Sequence, residues 1–86
     1  MLINSKGLSH ELAPHGIRVN SIAPGYVDTD LGPPSDGHNI EDVAARTILG
    51  RIASPRDIAH IALFLATDLS RHIVGETIVA DGGGYQ

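Results

Sequence analysis

The run I-R-V-N-S-I-A-P-G-Y-V-D-T at 17–29 restricts this chain more than any other stretch. Its β-branched residues predict a strand over 17–22. Pro24 removes a backbone donor and Gly25 permits backbone angles closed to other residues. The strand is therefore expected to stop there and the chain to turn sharply. A loop leaving the carboxyl end of a strand is where open α/β sheets bind ligands.

The flanking segments supply helices. Leu2, Ser5, Leu8, Ser9 and Leu12 fall at helical spacing, so 2–12 reads as the end of a helix with one face half apolar and half small. Pro14-His15-Gly16 ends it, with Gly16 suited to a left-handed cap. From Asp28 to Asn39 the chain reads as a loop, since G-P-P-S-D-G at 32–37 excludes regular helix and central strand. A short helix over 40–48 follows, with Asn39 as N-cap and Glu41 and Asp42 in its first turn. Ser54, Pro55 and Asp57 then make a capping-box-like start to a longer helix. Ile58, Ile61, Ala62 and Leu65 form one face of that helix, and Ala59, Leu63 and Ala66 fill much of the other. A helix apolar on so many sides needs cover on more than one of them. Residues 68–71 read as a final turn, Gly75 as a turn residue and 76–80 as a second strand. Strand, helix, strand predicts a right-handed crossover and a parallel pair. Two strands leave the edge of 17–22 open, a known liability. Another chain is expected to cover it, or more sheet to precede it, so 1–86 reads as a single partial α/β domain.

Composition narrows the partners. The chain has 86 residues, 42% of them hydrophobic, and no run near the roughly 20 apolar residues that span a bilayer. Met1 to Lys6 lacks the apolar core of a signal peptide. With no cysteine there is neither a disulfide framework nor a thiol catalyst, which fits a reducing cytoplasm. A net charge of −4, six scattered basic residues and few aromatics (Tyr26, Phe64, Tyr85) argue against nucleic acid. His10, His15, His38, His60 and His72 share no ligand spacing, so no metal site is assigned. Asp28 and Asp30 read as a solvated loop pair rather than an acid–base couple, because nothing apolar surrounds them to shift their proton affinities.

In the 24–29 loop, backbone groups around Gly25 and Val27 can bond a flat polar group such as a carboxamide. The Thr29 hydroxyl can donate to an amide oxygen or a phosphate. The same P-G-x-x-x-T pattern also describes an ordinary strand-ending turn. Four motifs bear on the choice: H-E-L-A-P-H-G-I-R-V-N-S-I-A-P-G at 10–25, G-R-I-A-S-P-R-D-I-A at 50–59, L-F-L-A-T-D at 63–68 and G-E-T-I-V-A-D-G-G at 75–83. In this order they closely resemble the C-terminal third of short-chain dehydrogenases/reductases.

That resemblance implies the C-terminal part of a Rossmann-like doubly wound parallel sheet, ordered helix–strand–helices–strand. It implies that Pro24 and Gly25 flank the nicotinamide of NAD or NADP, that the Val27 backbone bonds its carboxamide, and that Thr29 contacts the carboxamide or pyrophosphate. Residues 30–39 match the family's substrate-covering segment. The family's T-G-x-x-x-G-x-G turn has no counterpart in these residues. Counted back from Glu11, the lysine of its Tyr-x-x-x-Lys pair falls less than one helical turn before Met1, and its catalytic serine lies further upstream. Tyr26 and Tyr85 have no lysine four residues on, so no catalytic residue is assigned. Two functions are consistent with this. One is the C-terminal segment of an NAD(P)-dependent oxidoreductase, inactive as an isolated chain, whose full-length form transfers hydride between nicotinamide and a small carbonyl or alcohol substrate. The other is a truncated, non-catalytic binding or oligomerisation module. Both predict a homo-oligomer.

Overall fold

A computed structural model describes residues 5–29 and 39–84. Residues 2–4 of the expected first helix and residues 30–38 of the expected loop lie outside the described residues. The order is α1 (Ser5–Leu12), a 3-10 turn (Ala13–His15), β1 (Ser21–Pro24), α2 (Ile40–Ala45), α3 (Pro55–Ala66), a second 3-10 turn (Asp68–Ser70) and β2 (Thr77–Ala80).

Local chemistry sets the helix ends. Gly16 takes φ 73° and donates its N–H to the Ala13 carbonyl, closing α1 and its following turn. The small face of α1 packs inward: Ser5 and Ser9 are buried, and Ser9 Oγ donates to the Val19 carbonyl at 3.0 Å. Gly75 must be glycine for a matching reason. It has φ 73°, and a Cβ there would lie 3.1 Å from Lys6 Cγ and 3.3 Å from Lys6 Cα. Asn39 caps α2 by accepting from Glu41 N at 2.8 Å. The helix ends at Ala45 rather than 48, because the Thr47 hydroxyl turns back to the Ala44 carbonyl at 2.8 Å and accepts from Gly50 N at 2.9 Å. At α3, Ser54 and Asp57 exchange both bonds of a capping box.

β1 and β2 pair in parallel, in register from Ser21↔Thr77 to Pro24↔Ala80. The strand thus lies later than 17–22 and includes Pro24. Since Gly25 N donates to the Ala80 carbonyl, the backbone groups of Pro24 face away from β2. The missing donor falls on the far edge and leaves this ladder intact. Residues 17–20 lead into it through one backbone bond, Gly75 N to the Val19 carbonyl at 2.8 Å, and through side chains. Asn20 gives Nδ2 to the Ile73 carbonyl and accepts Glu76 N through Oδ1, each at 3.0 Å.

Arg18 ties the two halves together. Its Nη1 donates to the Ser70 and Ile73 carbonyls at 3.0 and 3.1 Å, and its Nη2 to the Leu65 and Thr67 carbonyls at 3.0 and 3.2 Å. These acceptors include carbonyls that the last turn of α3 leaves without helical partners. Positive charge at that end also complements the helix dipole.

Little apolar surface is enclosed. Val43, 3% exposed, is the buried hydrophobic side chain among the described residues, whereas four hydroxyl residues are buried. None of the buried side-chain polar atoms described lacks a partner. On α3, Ile58, Ile61 and Leu65 are half-buried while Leu63 and Phe64 are exposed, so the cover expected on several sides is present on one. No helix described is long and apolar enough to cross a membrane.

Arg18→Met removes one cation and four hydrogen bonds, though each carbonyl keeps a second donor: Ser70 Oγ at Leu65 and Thr67, Ile73 N at Ser70 and Asn20 Nδ2 at Ile73. Urea unfolding followed by circular dichroism is expected to show a loss of about 3 kcal/mol. Arg18→Lys, which keeps the charge but not the fork, recovers only part of it.

Candidate functional site

Beyond Pro24 the chain does not turn sharply. Gly25 is absent from the positive-φ glycines among the described residues, so its conformational freedom is not used. The strand instead changes partner. Gly25 N bonds to the Ala80 carbonyl at 3.2 Å; one residue on, Ala53 N donates to the Tyr26 carbonyl at 3.1 Å, and Asp28 N donates to the Ala53 carbonyl at 2.8 Å. Val27 and Ala53 form an isolated parallel bridge.

The pattern of that bridge orients Val27. In a parallel pair, the residue whose neighbours are bonded turns its own N–H and C=O to the opposite side. Ala53 uses both of its groups on Tyr26 and Asp28, so Val27 directs a donor and an acceptor outward, and neither makes a hydrogen bond within the described structure. A primary carboxamide carries one acceptor oxygen and a donor NH₂ in one plane. A group of that kind would match this side-by-side pair.

Next to it lies an open groove of about 400 Å³ lined by Ala23, Pro24, Gly25, Tyr26, Val79 and Asp81. Pro24 and Gly25 therefore share one site, floored by Val79 at the end of β2. Thr29 is exposed, two residues past the bridge, and its side chain does not line the groove. Asp28 is exposed, while Asp30 lies outside the described residues. Asp81 was not foreseen; its Oδ1 accepts from Gly83 N at 3.1 Å. Ala53 was also missed. Ser54 precedes a proline and sits in the extended region (φ −88°, ψ 158°), and a pre-proline N-cap is a sequence signal for an extended segment able to bridge.

One charge cluster borders the bridge. Asp57 Oδ2 accepts from Ser54 N at 2.9 Å and from Arg51 Nη1 at 3.2 Å. The Ser54 backbone N–H first, then the Arg51 guanidinium, hold the Asp57 carboxyl below the ordinary value of 3.8.

Comparison with known proteins bears on this geometry. The family model described as "Enoyl-(Acyl carrier protein) reductase" matches residues 2–85. The chain is 43% identical over 79 residues to the 3-oxoacyl-[acyl-carrier-protein] reductase FabG of Chlamydia trachomatis, covering 92% of this chain and 32% of that protein. It is 41% identical over 80 residues to the uncharacterized oxidoreductase YmfI of Bacillus subtilis, covering 93% and 33%. Among solved structures, a blue fluorescent protein from a metagenomic library, in complex with NADPH, superposes with TM-score 0.79 at 35% identity, over 92% of this chain and 32% of that one. The chain thus spans about a third of the length of the curated relatives it matches.

Asp57 gives a pH prediction. Its lowered folded value means that its contribution to stability is complete above about 3.8 and is lost as pH falls through that lower value. A carboxyl-carbon NMR titration is expected to place its midpoint below 3.8. Arg51→Gln moves the midpoint up only partway, because the Ser54 N–H remains.

Proposed function

Because the chain belongs to the short-chain dehydrogenase/reductase family, we propose that its 24–29 loop holds the nicotinamide end of NAD or NADP in an oxidoreductase acting on a small carbonyl or alcohol substrate. The observation that carries this reading is the outward donor–acceptor pair of Val27, held at the carboxyl end of a parallel strand by Ala53. Open α/β sheets take ligands at that end.

The bound nicotinamide supplies or accepts the hydride. This chain's part is to orient it. The Val27 N–H donates to the carboxamide oxygen and the Val27 C=O accepts from its NH₂, which fixes the rotation of the ring. Pro24 and Gly25 form the wall beside it, and Thr29 contacts the carboxamide or pyrophosphate. Proton transfer is assigned to no residue among these 86, and 1–86 is read as a single partial domain. A cysteine-free chain fits a reducing, cytoplasmic setting.

Val27→Pro deletes the outward donor while keeping the hydrogen-bonding groups that meet Ala53, which belong to Tyr26 and Asp28. Titrating labelled protein with NAD is expected to shift the 26–29 amides of wild type and to leave those of Val27→Pro unmoved, with the same fold by circular dichroism. Unmoved amides in the wild type would refute the reading. A few hydrogen bonds of roughly 0.5–1.5 kcal/mol each against an association cost of at least about 4 kcal/mol put the affinity of 1–86 in the millimolar range or weaker. Turnover of any standard ketone or alcohol by 1–86 alone is expected to equal the buffer blank. In the full-length enzyme, Thr29→Val raises KM for NAD(P)H.

A second reading, an oligomerisation module, draws on exposed apolar side chains: Leu63 at 64%, Leu69 at 83% and Val79 at 65%. With both edges of the two-stranded sheet open among the described residues, self-association is part of either reading. Sedimentation at micromolar concentration is expected to show a dimer or larger species, and a stable folded monomer would remove this proposal.

A further inference from the structure

We infer that Asp57 is a positioning residue for the nicotinamide loop, acting through Arg51, Ser54 and the backbone of Ala53. The inference rests on the reading that Val27 meets the cofactor amide. It adds which side chain sets the direction of that backbone.

Asp57 does more than cap its helix. A capping box needs only the exchange between Ser54 and Asp57, and both of its bonds are present. Asp57 Oδ2 also takes the Arg51 guanidinium at 3.2 Å, so one carboxylate oxygen grips the chain on both sides of Ala53. The Arg51 end is anchored again from behind, where its carbonyl lies 3.3 Å from Thr47 Oγ1. The segment 51–54 is thus fixed at both ends, and Ala53, at its middle, makes the two backbone bonds that orient Val27. Asp57 lies two links from Val27: side chain to the 51–54 backbone, then Ala53 to the loop. Arg51 is exposed and Asp57 half-buried, with side chains 61% and 42% accessible. Burial therefore adds little to the pair, and its effect lies in geometry.

The test uses isotope-labelled protein and nicotinamide mononucleotide as the probe, with two readouts. Amide exchange at Ala53 and Asp28 reports the bridge without ligand, and the Val27 amide shift reports the probe. Asp57→Ala, which removes the two charge-assisted hydrogen bonds from Ser54 N and Arg51, is expected to speed exchange at both amides at least about tenfold. It is also expected to weaken the Val27 response to the probe. Exchange at Ile61 to Leu65, deeper in α3, stays at the wild-type rate. Asp57→Asn keeps an acceptor for Ser54 N and recovers part of both effects. Arg51→Gln leaves the capping box whole and loosens the same two amides to a smaller degree, so it decides the matter if Asp57→Ala fails to fold. Unchanged exchange at Ala53 and Asp28 in these variants, with α3 frayed at its first turn, would overturn the inference and leave the nicotinamide reading standing. A wild-type protein whose Val27 amide ignores the probe would overturn both.

Discussion

One guanidinium organises this chain. Arg18 is followed closely by the residues that enter the sheet, and it reaches 47 to 55 positions along the sequence to four carbonyls between the last turn of α3 and Ile73. It therefore fixes where the helix finishes relative to where β1 begins. Ser70 supports the same knot, being 1% exposed, with its hydroxyl 3.0 and 3.1 Å from the Leu65 and Thr67 carbonyls. With Val43 as the enclosed apolar side chain among the described residues, hydrophobic burial within the chain cannot choose the register alone. Directional polar bonds make the choice, and Asn20 completes it by holding Ile73 and Glu76 beside β1.

The site inherits this alignment. Once Ser21 stands opposite Thr77, Pro24 reaches Ala80 and the next residues pass beyond the end of β2. There they meet the extended segment before α3, which completes the pairing at Val27. The groove beside Pro24 and Gly25 is thus lined by two parts of the chain, 23–26 and 79–81, while a third, at Ala53, orients the backbone just beyond it. Its shape depends on a strand exchanging one partner for another. The reading as a nicotinamide site follows from that exchange, because an ordinary turn at Gly25 would aim the Val27 backbone elsewhere.

What could be read from the sequence was mostly local. Gly16, Asn39 and the Ser54–Asp57 pair act through neighbours within a few residues, and all three take the roles their types and spacing predict. The parallel pairing of two strands was legible too. The position of β1 was not, since β-branched residues at 17–22 mark where a strand suits the chain and Arg18 marks where this one starts. Pro24 misled for a related reason: whether a missing donor ends a strand depends on which edge it faces, and register decides that. Pro24, Gly25, Val27 and Thr29 entered through family motifs. The contribution of Ala53 is a long-range pairing that its own side chain, a methyl group, does not announce.

The placement of Pro24 also makes the two edges of β1 unequal. Toward β2, bonding continues through Gly25. On the other edge, Ile22 offers a donor and an acceptor, but Pro24 offers only its carbonyl. A third strand added there loses a rung opposite Pro24, and a carbonyl on that newcomer is left without a mate. The assembled sheet would therefore carry a polar notch on one side of the groove, open to water or to a ligand's own donor.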